Sequence, residues 1–322
     1  MVDSVTVRAP ARLHLGFLDM NGELGRRFGS LGLSIDAYET RITMRRAIAM
    51  SVRGLEAERA RNILAALSGA IGCNESFAVT IEQAIPAHSG LGSGTQLALA
   101  LAAALHHLTG HAGDVSDYAS LTERGARSGA GIGLFATGGF VVDGGRSEST
   151  RVPPVVAHAA FPEAWRIILV TDVSQRGISG GAELEAFAAL PQFAAVHAGE
   201  ICRRVLMQVL PGLAEADIVS FGAGISAIQA FVGDHFAPAQ GGSRFRSPSV
   251  EALLRDLAAA GATGIGQTSW GPTGFAFAGD AETAARLATD ASGRSAEMRL
   301  DIRVCKGLNR GAIITEHAAE NG

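Results

Sequence analysis

The stretch from Phe77 to Leu108 constrains this chain more than any other. Phe77-Ala78-Val79-Thr80-Ile81-Glu82 alternates apolar and polar residues, as a half-buried strand does. Gln83 to Gly94 then places three glycines, Gly90, Gly92 and Gly94, at alternate positions, and Thr95 to Leu108 is so uniformly apolar that it fits only a buried helix. A strand, a glycine loop and a buried helix in that order leave the first backbone N–H groups of the helix unpaired, at the positive end of its dipole. Small residues there let a phosphate approach the backbone. Ser89, Ser93 and Thr95 add hydroxyls, and Thr95 is also positioned as a ligand for Mg2+. No Asp, Glu, Lys or Arg occurs from Gln83 to Gly113, yet the apolar heart, Leu97 to Leu105, is about nine residues long. A membrane span needs ~20, so no membrane crossing is expected.

Glycine is abundant, 41 of 322 residues, and it is clustered: Gly22–Gly32, Gly90–Gly94, Gly125–Gly145 and Gly261–Gly274. It has no three-residue period, which excludes collagen. With 47% apolar and 18% charged residues the chain is a folded one. A net charge of −4, with two Trp and two Tyr, leaves neither a basic footprint nor stacking platforms for nucleic acid. Cys73, Cys202 and Cys305 are far apart and unpaired in sequence, which argues against a disulfide framework or a cysteine zinc site. A reducing, cytoplasmic location is expected, and Val2 to Arg8 alternates like a strand and lacks the apolar h-region of a signal peptide.

Strand patterns cover Ser4–Arg8, Arg12–Leu18, Leu31–Ala37, Thr40–Arg45, Gly139–Asp143, Trp165–Thr171, Thr273–Ala278 and Ala296–Val304. Helical spacing covers Ala57–Ile71, Gly181–Leu190, Phe193–Leu210, Ala214–Phe231, Val250–Ala260 and Ala281–Thr289, and Gly264–Gly271 reads as a second glycine loop. The polar run Arg146–Thr150 and the pair Pro153-Pro154 mark the best boundary, dividing the chain into domains 1–156 and 157–322.

The loop at Gly90 is not a Walker loop, because no Gly-Lys-Ser/Thr follows, and it lacks the third glycine or alanine of the dinucleotide fingerprint. Pro86-x-x-x-Gly90-Leu91-Gly92-Ser93 resembles the second motif of the GHMP kinase superfamily. The other two superfamily motifs are altered. Pro10-Ala11-Arg12-Leu13-His14-Leu15-Gly16-Phe17-Leu18-Asp19 lacks the usual Gly-Glu, and Trp270 and Pro272 sit where the third motif is normally bare glycine loop. Arg127 to Leu134 carries no acid where most of these kinases hold an Asp base. These departures together resemble one branch, the β-ribofuranosylaminobenzene 5′-phosphate synthases, through seven segments: Ala11–Asp19, Gly25–Gly29, Gly90–Gln96, Arg127–Gly131, Gly138–Gly145, Gly266–Thr273 and Asn309–Ala312.

The resemblance implies an α+β, two-domain GHMP-kinase-like fold: an N-terminal domain like ribosomal protein S5 domain 2 and a ferredoxin-like C-terminal domain. It implies a phosphoribosyltransferase that condenses phosphoribosyl pyrophosphate with 4-aminobenzoate or 4-hydroxybenzoate. Carbon dioxide and pyrophosphate leave, in the biosynthesis of methanopterin. Mg2+ is the implied cofactor, without a nucleotide, and a homodimer the implied assembly. Asp19 and Arg26 are the expected catalytic residues. Arg12, Arg27, Ser89, Gly90, Gly92, Ser93, Gly94, Thr95 and Arg127 are expected on phosphate or pyrophosphate, and Thr268, Ser269, Trp270 and Gly271 on the benzoate or a second anion. Asp19 and Thr95 are the expected Mg2+ ligands. Plainer readings stand beside these: a turn cap for Asp19, surface arginines for Arg26 and Arg27, core packing for Trp270, and a satisfied core histidine for His14. An ATP-dependent kinase of a small alcohol and a non-catalytic phosphometabolite-binding protein are the alternatives in function.

Overall fold

A computed structural model of the chain describes residues 2–110, 113–122, 127–177 and 181–318. The chain opens with two long strands, β1 (Val2–Asp19) and β2 (Phe28–Ala47), then a short β3 (Ser51–Gly54), helix α1 (Ala57–Ala70) and β4 (Ser76–Gln83). Helices α2 (Ser93–Thr109), α3 (Val115–Leu121) and α4 (Ala130–Thr137) lead to β5 (Phe140–Asp143), β6 (Val155–Ala159) and β7 (Arg166–Asp172). A helical stretch follows: α5 (Gly181–Ala189), α6 (Ala195–Arg204), a π-helical turn (Val205–Val209), α7 (Leu210–Ala214), α8 (Ile218–Phe236) and α9 (Pro248–Ala259). The chain ends with β8 (Thr263–Gln267), β9 (Thr273–Ala278), α10 (Ala281–Met298), β10 (Leu300–Cys305) and β11 (Ile313–Ala318).

Two sheets organise these elements. The first runs β11-β1-β2-β4-β3, with β5 and then β6 added beside the first half of β2. The second is antiparallel in the order β10-β7-β9-β8. By order of appearance that is 4-1-3-2, the ferredoxin-like arrangement expected of the second half. The first sheet buries Val5, Val7, Ile42 and Met44 against α1 and α2. The second buries Ile168, Val170, Ala276 and Ala278 against α9 and α10. A third core lies between, where Leu13, Leu15, Leu31 and Leu33 meet Phe221, Ile225 and Ile228 of α8 and Phe275 and Phe277 of β9. That central core is what joins the two sheets.

Several boundaries differ from the sequence reading. The expected strand pairs are two continuous strands, with irregular register between Pro10 and Ala11 and between His14 and Gly16. Gly16 sits at φ 130° with the place of a β-carbon only 2.9 Å from Ile228 Cγ2, so the bulge and the close helix both need glycine. The glycine loop expected over Gly264–Gly271 begins with β8, and only Thr268 to Pro272 form the turn. α10 runs past Thr289 to Met298, because Ala284, Leu287, Ala291 and Ser295 keep one face buried across the weak helix formers Asp290, Ser292 and Gly293. The last strand accordingly starts at Leu300, after Arg299 ends the helix in the left-handed region. The expected division at 156/157 falls inside β6 of the first sheet, and β11 returns to pair with β1.

Candidate active site

The site is built where β1 passes under α8 and the two glycine loops. Arg12 crosses the first loop. Its backbone N–H donates to Leu91 O at 3.1 Å, and its Nη1 donates to Gly90 O at 2.6 Å. Gly90 O also accepts from Thr268 Oγ1 at 2.9 Å, and that hydroxyl accepts from the His14 N–H at 2.9 Å. One buried threonine thus pins both loops to β1. The loops touch closely: a β-carbon on Gly90 would stand 2.3 Å from Thr268 O, and one on Gly271 would stand 2.3 Å from Ser89 O. Glycine at Gly90 and Gly271 is therefore as much about loop-to-loop packing as about a ligand.

The anion-binding potential lies at the start of α2. Gly92, at φ 89°, caps the helix without a side chain, so the amides of Ser93, Gly94 and Thr95 stay open toward the positive end of the dipole. Ser89 Oγ is spent within the loop, donating to Pro86 O at 2.7 Å. Thr95 packs on Gly131, and Gln96 Nε2 donates to Gly131 O at 3.1 Å, which ties the first loop to α4.

An aromatic cluster fills the other side of β1. Trp270 meets Phe236 at 4.4 Å and Phe187 at 5.4 Å between ring centroids, and Phe187 meets Phe17 and Phe28 at 6.0 and 6.1 Å. Arg127 lies over the Phe187 ring at 4.9 Å and Arg27 over the Phe28 ring at 5.3 Å. A narrow crevice with a cavity volume of about 30 Å3, open to solvent, is bounded by His14, Phe17, Phe236, Trp270, Gln229 and Gln267 among others. His14 is buried, and its pKa falls from 6.5 to about 3, first because burial disfavours the charged ring and second because Arg12 is near. His14 is not the satisfied core histidine of the sequence reading: Nε2 is buried with no hydrogen-bond partner in the protein.

The expected catalytic pair is engaged with backbone. Asp19 Oδ1 accepts from Asn21 N at 2.7 Å and Gly22 N at 3.2 Å, forming the turn after β1. Arg26 donates to Gly144 O at 2.8 Å and Gly145 O at 2.7 Å, and Arg27 donates to Met20 O at 3.3 Å. The structure thus gathers Arg12, Ser89, Gly90, Gly92, Thr268 and Gly271 at the loop junction. It gathers Arg27, Arg127 and Trp270 around the aromatic cluster, with Asp19 and Arg26 in the adjoining β1–β2 turn.

Sequence reading missed one keystone. Asp143, fully buried, accepts hydrogen bonds from Ser30 Oγ, from Gly129 N at 2.9 Å and from Gly145 N at 2.9 Å. Burial raises its pKa, and these hydrogen bonds oppose the rise. It holds the entrance to α4, and with it Arg127, against the glycines that Arg26 binds. The available signal was an acid ending a buried strand just before Gly144-Gly145. Phe17, Phe187 and Phe236 were also not foreseen, since nothing in their spacing sets them apart from core.

Comparison with known proteins agrees with this architecture. The family models for the GHMP kinases N terminal domain and the GHMP kinases C terminal match residues 57–139 and 209–294. Homoserine kinase from Cytophaga hutchinsonii superposes with a TM-score of 0.69 at 18% identity, covering 98% of each chain. The mevalonate diphosphate decarboxylase of Enterococcus faecalis superposes with a TM-score of 0.68 at 17% identity, covering 98% of this chain and 100% of that one. Fold and motifs define a member of the GHMP kinase superfamily. A beta-ribofuranosylphenol 5′-phosphate synthase of Methanothermobacter thermautotrophicus is 32% identical over 294 residues, 84% of this chain and 88% of that one. One from Methanocaldococcus jannaschii is 28% identical over 88% of this chain and 92% of its own. The chain belongs to the beta-ribofuranosylphenol 5′-phosphate synthase family and is an enzyme. Among the described residues no helix is long and apolar enough to cross a membrane.

Proposed function

We propose that this enzyme condenses phosphoribosyl pyrophosphate with a 4-substituted benzoate, releasing carbon dioxide and pyrophosphate and leaving a C-riboside 5′-phosphate. The observation that supports the reading is the junction Gly90 O–Thr268 Oγ1–His14 N, which sets the glycine loop at the start of α2 beside the aromatic cluster. A sugar phosphate and a benzene ring need those two surfaces side by side. The product named for the relatives is a phenol, which favours 4-hydroxybenzoate over 4-aminobenzoate.

Bond changes assign the residues. The ring carbon that bears the carboxylate attacks C1 of the ribose as the C1–O bond to pyrophosphate breaks. The carboxylate then leaves as carbon dioxide, its bonding pair restoring the aromatic ring. No protein nucleophile takes part. The protein's task is to place the ring and to stabilise the departing diphosphate by fixed charges and dipoles. The open amides at the start of α2 and Arg12 take phosphate, while Arg27 and Arg127 face the charge that leaves. Mg2+, when bound, neutralises diphosphate charge. Asp19 would be its carboxylate ligand and Thr95 its second protein oxygen, because magnesium is commonly held by one or two protein oxygens plus phosphate.

The test is incubation of the protein with phosphoribosyl pyrophosphate and carboxyl-labelled 4-hydroxybenzoate or 4-aminobenzoate. Labelled carbon dioxide and pyrophosphate are expected in equal amounts. ADP from ATP and an alcohol, with no pyrophosphate released, would overturn the assignment in favour of a kinase.

A further inference from the structure

Asn309–Ala312, one of the segments that carry the family resemblance, lies outside the candidate active site. Its backbone is fixed on both sides. Asn309 Oδ1 accepts from Phe161 N at 2.7 Å, and its Nδ2 donates to Phe161 O at 2.9 Å. Ala312 N donates to Phe135 O at 2.7 Å. Gly311 backs onto that same oxygen, and Gly138 onto the Arg310 backbone, with no room for a β-carbon at either glycine. The Arg310 side chain is what this scaffolding leaves over. It is exposed and makes no hydrogen bond or ion pair with any described residue.

Arg310 lines an open cavity of about 410 Å3, together with Arg8, Arg41, Asp36, Tyr38 and Leu308 among others. Glu39 stands in the same lining. Arg8 Nη2 donates to Glu39 Oε2 at 3.0 Å, and Arg41 Nη2 donates to Glu39 Oε1 at 2.7 Å. One carboxylate thus serves two guanidinium groups through their Nε and Nη2 atoms, and the Nη1 of each has no partner among the described residues. The other acid, Asp36, accepts from Lys306 N at 2.7 Å through Oδ1. Three arginines against two carboxylates leave the lining with one positive charge in excess. Tyr38 gives it an apolar wall and is itself steadied by Arg303, which lies over its ring at 4.4 Å. None of these residues belongs to the candidate active site. The irregular register between Pro10 and Ala11 separates the two places: Arg8, before it, bonds Glu39, and Arg12, after it, bonds Gly90 O at 2.6 Å.

We propose that this cavity is a second binding site, for a small molecule that carries one oxyanion, a carboxylate or a phosphate, on an apolar body. The oxyanion takes the N–H groups of Arg310 and the spare Nη1 groups of Arg8 and Arg41, donors whose planar forks match such oxygens. The apolar body lies on Tyr38 and Leu308. Glu39 already holds Arg8 and Arg41 side by side, which reduces the side-chain entropy lost on binding. The cluster has one more cation than anion, so an arriving oxyanion completes it and does not compete with Glu39.

The test is titration of the full chain with phenyl phosphate and, separately, with benzoate, read on the side-chain 15N resonances of the arginines. With at least one of the two ligands, the Arg8, Arg41 and Arg310 signals are expected to follow one saturation curve. Arg310→Gln changes an exposed side chain that has no partner, so the fold is expected to persist. It should weaken that curve about tenfold or more, the weight of one charge-assisted hydrogen bond, and leave any curve read at Arg12 within about twofold of wild type. Saturation by phenyl phosphate alone assigns a phosphate ligand, by benzoate alone a carboxylate, and by both an oxyanion of either kind. No saturating shift at Arg8, Arg41 and Arg310 with either ligand overturns the proposal. A curve that Arg310→Gln leaves unchanged does so too, as does one that coincides with the curve at Arg12 and places the ligand in the candidate active site. None of these readouts uses pyrophosphate release, so the second site and the proposed reaction stand or fall separately.

Discussion

Thr268→Val removes one oxygen and little volume from the point where both glycine loops meet β1. Thr268 is fully buried; its hydroxyl donates to Gly90 O and accepts from His14 N, both at 2.9 Å. Its backbone N–H donates separately to Thr273 O at 3.0 Å and is left intact. The substitution strands the His14 N–H, at about 1–3 kcal/mol for a buried unsatisfied donor, and costs Gly90 O one of two partners, about 0.5–1.5 kcal/mol. We therefore expect a loss of about 1.5–4.5 kcal/mol in guanidinium denaturation. Thr268→Ser keeps the hydroxyl and should lose far less. Because the same oxygen sets the first loop's position, the KM for phosphoribosyl pyrophosphate should rise at least tenfold in Thr268→Val. A stability loss under about 0.5 kcal/mol, or an equal loss in Thr268→Ser, would refute the view that this hydroxyl pins the loops.

Two further outcomes follow from buried titratable groups. The folded chain holds the His14 pKa at about 3 against 6.5 in the unfolded chain, so acid favours unfolding: the contribution is complete above pH 6.5 and is lost as pH falls toward 3. Between pH 7 and pH 5 the wild type should lose about 2 kcal/mol more stability than His14→Phe, at 1.36 kcal/mol per pH unit below 6.5; parallel losses in denaturant titrations would contradict the buried, neutral ring. Asp143→Asn turns one acceptor into a donor facing the N–H of Gly145 or Gly129, each now 2.9 Å from a carboxyl oxygen. It should cost about 1–3 kcal/mol in the same assay, and a change below about 0.5 kcal/mol would show that Asp143 does not hold α4.

Much of the fold was legible because periodicity reports burial on one face. The alternation at Phe77–Glu82 and the apolar run after Thr95 became β4 and α2, buried as the pattern requires. What alternation does not report is continuity. Ser4–Arg8 and Arg12–Leu18 look like two strands because Pro10 and the bulge at Gly16 interrupt the pattern, yet the backbone continues through both. β11 was invisible for a different reason: Ile313, Thr315 and Glu316 are exposed or nearly so, and the strand is fixed by its pairing with β1 rather than by its own burial. Helix α4 lay hidden in the third glycine cluster. Gly133 is there because a β-carbon would stand 2.6 Å from Val155, and one at Gly131 would press on Thr95 at 3.2 Å, a tertiary demand that local propensity reads as a break.

The site was legible where chemistry is carried by backbone and obscure where it is carried by vacated partnerships. Gly90, Gly92 and Thr268 could be picked out because small residues and hydroxyls stand out in two glycine loops, and the structure uses Gly90 and Thr268 to pack one loop on the other. His14 could not, since a histidine in an apolar strand is usually satisfied by a neighbour, and sequence does not reveal whether a neighbour comes. Here none does: the bulge at Gly16 lets α8 close over β1, and the glutamines that α8 and β8 bring, Gln229 and Gln267, bond to Leu15, Arg246, Gln240 and each other's elements instead. The same network that spends them leaves Nε2 buried without a partner in the protein.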